Sequence, residues 1–166
     1  MHDAPVIGLH GRARSGKDTV ANFILAQRGG YIYSFADPIR KMLVPLGIDM
    51  GDPYWQARKE QVIPALGASP RRLMQTLGTE WGRQLINPDL WLILAKQLLL
   101  NYGPGMVVAD VRFENEAAWV REQGGRVIHI ERPDNVAVEA HASEAGIVFK
   151  GEEGDIKIVN GGSLED

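Results

Sequence analysis

The chain is 166 residues long, 45% hydrophobic and 23% charged, the proportions of one ordinary globular domain. Its 21 Asp and Glu outnumber 18 Lys and Arg, for a formal net charge of -3; this argues against a partner that is a nucleic-acid polymer, since nonspecific affinity for one comes from basic patches that displace counterions. It has no cysteine, which removes disulfides, thiolate nucleophiles and cysteine-ligated zinc from consideration.

Acid stands early in the chain and Gly8 follows before any signal-like apolar region develops, while the longest apolar run, Leu90 to Ala95, falls far short of a membrane span. A cytoplasmic protein with no membrane partner is expected. Val6 to His10 reads as a first strand, followed by a glycine-rich turn and a helix that carries Val20, Ala21, Phe23 and Ile24 on one stripe and ends at Gly29 and Gly30. Tyr31 to Phe35 reads as a second strand. From Asp37 to Tyr102 the signal is helical throughout: Pro38, Pro70 and Pro88 suit helix starts, and Gly47, Gly67 and Gly103 suit stops. Met106 to Ala109 is a buried strand ending at Asp110, Glu114 to Gln123 a helix stopped by Gly124 and Gly125, and Val127 to Ile130 a further strand. A polar, weakly patterned stretch over about 133–154 precedes a last strand, Ile156 to Val159, and Asn160 to Asp166 reads as a turn, an N-cap and a first helical turn. Short apolar runs alternating with helices predict an α/β fold: a central parallel sheet of about five strands, helices on both faces, and a helical insertion over about 37–103.

Gly11-Arg12-Ala13-Arg14-Ser15-Gly16-Lys17 has the spacing of a phosphate-binding loop, with a strand before it and an amphipathic helix after it. The glycines let the backbone turn so that successive N–H groups point at one anion. The helix N-terminus adds its dipole, and Lys17 reaches the outer phosphates. Where a Ser or Thr hydroxyl normally coordinates magnesium, this chain has Asp18 and then Thr19. A carboxylate is also a hard oxygen ligand, so Asp18 is expected to hold Mg2+ directly or through water, with Thr19 on the inner phosphates; the plainer alternative is an acid that favours the helix dipole. Asp110, at the C-terminal end of a buried strand, stands where a second magnesium-orienting carboxylate belongs.

Twelve of the 18 basic residues are arginines, whose planar fork reads phosphate bidentately, as a site for two phosphorylated ligands would favour. Arg83, Arg112 and Arg132 stand out because each lies beside a predicted strand end or the Gly-Thr-Glu-Trp turn. Transfer to an alcohol would benefit from a general base, whereas a phosphate monoester is already mostly ionised at neutral pH. His10 and His129 fall within strand patterns and read as core or edge residues; His141 is better placed to touch a ligand.

Ala13 to Thr19, Ser34 to Pro38, Leu77-Gly78-Thr79-Glu80-Trp81-Gly82-Arg83, Asp110 to Glu116 and Ile158 to Leu164 together resemble the phage-type deoxynucleoside monophosphate kinases over nearly the whole chain. The resemblance implies a P-loop NTPase fold forming a single kinase domain over 1–166, with a helical acceptor-binding region and a lid-like segment, and transfer of the ATP γ-phosphoryl group to a deoxynucleoside 5′-monophosphate. It implies that Gly11, Ala13, Arg14, Ser15, Gly16, Lys17, Asp18 and Thr19 handle ATP, that Asp18, Thr19 and Asp110 handle Mg2+, and that Lys17, Arg14, Arg112 and Arg132 are catalytic. Asp37, Trp81, Arg83, Arg112 and Glu114 would line the acceptor site, joined by His141 and Glu144. A homodimer is compatible with the resemblance. Two alternatives stay open: the Ser-Gly-Lys-Asp loop also resembles P-loop phosphomevalonate kinases, and a nucleotide-binding protein without turnover would keep the same loop. An aromatic beside an arginine in Trp81-Gly82-Arg83 suits a nucleotide acceptor, although Trp81 would equally suit a core.

Overall fold

A computed structural model of the chain describes residues 5–133 and 146–161. In chain order the elements are β1 (Ile7–His10), α1 (Lys17–Arg28), β2 (Tyr31–Tyr33), α2 (Asp37–Leu43), α3 (Pro53–Ala57), α4 (Pro70–Gln75), a π-helix (Thr76–Ile86), α5 (Leu90–Tyr102), β3 (Met106–Val108), α6 (Glu114–Glu122), β4 (Arg126–Glu131) and β5 (Ile156–Val159), with 3-10 turns at Val44–Leu46 and Gly151–Glu153. Two compact units divide the chain, one formed by Met1–Ser34 with Ala95–Asp166 and the other by Phe35–Leu94. The second covers most of the helical insertion expected over 37–103, the boundary falling inside α5.

In the first unit the five strands form one parallel sheet in the order β2-β3-β1-β4-β5. Alternation along β1 divides its neighbours. Leu9, with Val107, Ile128 and Ile130, packs on Ala21, Val20, Ile24 and Leu25 of α1. On the other face Gly8 meets Val120 of α6 so closely that a Cβ would lie 3.2 Å from its side chain. Helices therefore cover both faces, which is why these strands read as continuous apolar runs. Phe23 departs from the expected stripe and is 65% exposed; at 100° per residue it stands 200° around the helix from Ala21, on the solvent side.

The second unit is built around Leu43, Ile48 and Met50, with Trp55, Ile63, Leu73, Met74 and Leu77 against them. Pro38 lies in the first turn of α2 and Pro70 opens α4 behind Ser69, whose hydroxyl accepts from the Arg72 N–H. Two expectations need correction. Gly67 closes a turn beside the isolated Ile63–Ala68 bridge and ends no helix. The segment after α4 widens into an 11-residue π-helix.

Candidate active site

The chain leaves β1 at His10 and turns through Gly11 to Gly16 before α1 begins at Lys17. Arg14 (φ 63°) and Gly16 (φ 100°) both take left-handed backbone conformations, the kind of alternation that turns successive N–H groups to one side and forms an anion-binding nest. A Cβ at Gly11 would strike the Ile130 carbonyl and lie 2.7 Å from Ser15 Oγ, so this position admits only glycine. The Ser15 N–H donates to the Arg12 carbonyl at 3.2 Å. The Ser15 hydroxyl, 1% exposed, has no hydrogen-bond partner among the described residues; a buried polar atom left this way calls for a ligand or water. The N-cap of α1 is Gly16, which has no side chain to cap the helix, and the positive end of the helix dipole is directed at the loop. Lys17 Nζ donates to the carbonyls of Gly11 and Arg12, each at 2.7 Å. Asp18 and Thr19 are exposed in the first helical turn.

Asp110 follows β3 at the C-terminal edge of the sheet, is buried, and accepts the Ser34 hydroxyl proton on Oδ2 at 2.6 Å. Backbone bonds from the Ala109 N–H to Tyr33 O and from the Val111 N–H to Leu9 O hold it on both sides. Among the described residues no three His, Cys, Asp or Glu side chains form a metal-binding group. Mg2+ arriving with a nucleotide needs only one or two protein oxygens, since phosphates and water supply the rest, and a buried carboxylate beside a phosphate loop is such an oxygen.

Arg112 is exposed, with its N–H donating to Glu116 Oε2 at 2.7 Å; the Phe113 N–H donates to the same oxygen at 3.1 Å. Glu116 is buried, and by folding back on these two N–H groups it fixes the start of α6 and the backbone that carries Arg112. Glu114 accepts from the Val148 N–H at 2.6 Å, with Arg121 3.8 Å away. A cavity of about 550 Å³ opens beside the start of the phosphate loop, lined by His10, Gly11, Arg12, His129, Arg132 and Phe149 among others. In its wall the His10 Nδ1–H donates to the Val111 carbonyl at 2.9 Å. Burial pushes the His10 pKa below the ordinary imidazole value; that hydrogen bond opposes the shift, and the neighbouring charges of His129, Lys17 and Arg112 reinforce it. His129 is buried, 3.1 Å from Asp155 Oδ2. Both histidines thus serve as the core or edge residues expected of them.

The other expected site residues described by the structure belong to the second unit. Asp37 opens α2 and pairs with Arg40 at 2.7 Å. Trp81 lies on the π-helix and is 37% exposed, its ring 6.5 Å from that of the buried Trp91. Arg83 Nη1 donates to the Pro88 carbonyl at 3.0 Å. His141, Glu144 and most of the segment over 133–154 lie outside the described residues. Sequence reasoning gave no role to Ser34, Glu116 or Asn160. Of these, only Glu116 carried a local signal, a glutamate three residues into a helix, as in a capping box.

A family model described as deoxynucleotide monophosphate kinase matches residues 5–50 and 57–166. A protein of Acanthamoeba polyphaga mimivirus, provisionally named a deoxynucleotide monophosphate kinase, is 30% identical over 176 residues, covering 97% of this chain and 91% of its own length. The deoxynucleoside-5′-monophosphate kinase of Escherichia phage T5 is 28% identical over 219 residues, covering 87% of this chain and 86% of its own. The deoxynucleotide monophosphate kinase of Enterobacteria phage T4 is 35% identical over a shorter stretch, 59% of this chain and 42% of that one.

Proposed function

Because this chain belongs to the deoxynucleotide monophosphate kinase family, we infer that it transfers the γ-phosphoryl group of ATP to the 5′-phosphate of a deoxynucleoside monophosphate, giving ADP and the deoxynucleoside diphosphate. The observation that carries the ATP half of this reading is the phosphate loop: left-handed Arg14 and Gly16, a helix N-terminus with glycine at its cap, and Lys17 held at the loop's own carbonyls.

An oxygen of the acceptor phosphate attacks the γ-phosphorus as the bond to the β–γ bridging oxygen breaks. The acceptor is mostly ionised at neutral pH, so no base need remove a proton, and the work of the site is positioning and charge neutralisation. The loop N–H groups hold the β-phosphate, and Lys17 exchanges its carbonyl partners for the β- and γ-oxygens. Asp110, Asp18 and Thr19 are the residues that would hold Mg2+, which when bound neutralises charge on the β- and γ-phosphates. Arg14, Arg112 and Arg132 offset the charge of the group in transfer. For the acceptor, Trp81 offers a face for the base and Arg83 a fork for phosphate, with Asp37, Arg112 and Glu114 as further contacts; His141 and Glu144 are assigned to the same ligand. On this reading the partners are the two nucleotides, with no nucleic-acid polymer and no membrane, in the cytoplasm where both nucleotide pools lie; sedimentation decides between monomer and homodimer.

The test is to incubate the protein with Mg-ATP and, separately, each deoxynucleoside monophosphate, the ribonucleotides and phosphomevalonate, and to look for new diphosphate. Product from deoxynucleotides is expected. Product from phosphomevalonate alone, or none from any acceptor, overturns the assignment.

A further inference from the structure

β5 is the last strand of the sheet beside β4, and the ladder between them continues one rung past its end: the Asn160 N–H donates to the Glu131 carbonyl at 2.7 Å. That bond fixes the Asn160 backbone, so its side chain has a defined origin. From there Nδ2 donates to the carbonyl of Ser15 at 3.0 Å, across 145 residues of sequence. The approach is close enough that a Cβ on Gly16 would lie 2.6 Å from Nδ2. The left-handed φ of 100° calls for glycine at position 16, and the missing Cβ leaves the Asn160 amide its room.

We propose that Asn160 is a positioning residue for the phosphate loop, acting on the peptide group that joins Ser15 to Gly16. This inference rests on the ATP-binding reading above. A trans peptide is planar and carries its C=O and N–H on opposite sides, and among the described residues there is no cis peptide bond. A donor that holds the Ser15 oxygen turned toward β5 consequently holds the Gly16 N–H turned the other way, into the nest, where it serves as one of the phosphate donors. Without Asn160 this peptide has lost the side-chain donor that selects its orientation, in a loop whose glycines impose little preference of their own. The loop then spends part of its time with one donor withdrawn and its carbonyl facing the anion. Asn160 acts through backbone and touches neither base nor sugar, so its effect belongs to the phosphates.

Two variants test this. Asn160→Ala removes the donor; Asn160→Asp keeps the size and the backbone rung but presents an acceptor to an acceptor. Affinity for the β,γ-imido analogue of ATP and for inorganic tripolyphosphate is measured by calorimetry on wild type and both variants, with KM for each substrate, kcat and the melting temperature alongside. Both variants are expected to bind both probes more weakly by the same factor, roughly five- to tenfold for the alanine, as follows from loss of one hydrogen bond, and by more for the aspartate. KM for ATP rises with it, while KM for the deoxynucleotide and kcat move by less than about twofold. Should the alanine variant fold poorly, the aspartate variant decides. Unchanged binding of both probes overturns the proposal. So does weaker nucleotide binding with tripolyphosphate unaffected, which would make Asn160 a base contact. A wild-type protein that binds neither probe would instead bring down the kinase reading itself.

Discussion

Lys17 is held by two backbone carbonyls of the loop it follows, so its ammonium is already aimed at the loop before a nucleotide arrives, and binding exchanges carbonyl partners for phosphate oxygens. Lys17→Ala is expected to lower kcat by about a hundredfold or more, as loss of a preorganised charge at a developing anion does, with a melting temperature within a few degrees of wild type because the Gly11 and Arg12 carbonyls that lose its ammonium belong to a loop open to solvent and can take water instead. Near-normal turnover in that variant would reject the assignment. Asp18 is exposed on the first turn of α1, and if it serves the ion, Asp18→Ala raises the magnesium concentration for half-maximal rate about tenfold; an unchanged requirement returns Asp18 to the helix dipole. These residues could be read from the sequence because a phosphate loop is local and its spacing is set by backbone geometry. Ser34, whose partner Asp110 is 76 residues away, and Asn160, whose partner is 145 away, could not: a single hydrogen bond between distant segments leaves no periodic trace in composition or spacing.

The inner strands β1, β3 and β4 were legible as largely buried apolar runs bounded by glycine or polar turns; β5 is exposed at all four residues and was marked by its isoleucines and valine, and the five expected strands pair as one parallel sheet. The π-helix was not, since i→i+5 bonding shifts the side-chain period away from 3.6 and leaves no repeat to count over 11 residues. Its packing explains Gly82. Trp91 donates Nε1–H to the Gly78 carbonyl at 2.7 Å, and a Cβ on Gly82 would lie 2.5 Å from the Trp91 ring and 2.9 Å from the Leu77 carbonyl. A wide helical turn thus accepts the edge of a buried indole where glycine gives it room, while Trp81, the residue between Glu80 and Gly82, keeps part of its face in solvent. Gly82→Ala is expected to destabilise the protein by about 1–3 kcal/mol through overpacking, read as a lower denaturant midpoint. Full stability in this variant would mean that Trp91 can move aside, and the tight contact would no longer account for the glycine.

One buried carboxylate ties the far side of the sheet together and makes stability depend on acid. Asp155 accepts from Arg121 on α6 through Nη2 at 2.7 Å and Nε at 3.1 Å, from the Lys150 N–H at 2.9 Å, and from His129 on β4 at 3.1 Å. Burial alone would raise its pKa; the Arg121 guanidinium, the Lys150 amide and His129 together outweigh burial and bring it down from 3.8 to about 2. A carboxyl whose pKa is lower folded than unfolded favours the folded state fully above the unfolded value, and that contribution disappears as pH falls through the folded one. The interval is therefore from about pH 4 down to about pH 2, and the difference between the two pKa values is worth about 2 kcal/mol. Phe149 stacks edge-on against His129 at 5.2 Å, and both line the cavity beside the phosphate loop, so the same carboxylate shapes that wall. Asp155→Asn keeps the size but cannot titrate, and it leaves the Arg121 charge without its closest partner. The variant is expected to be less stable than wild type at pH 7 and to lose about 2 kcal/mol less than wild type between pH 5 and pH 2, measured by urea denaturation across that range. Parallel stability curves for the two proteins would show that Asp155 is not the group through which acid acts.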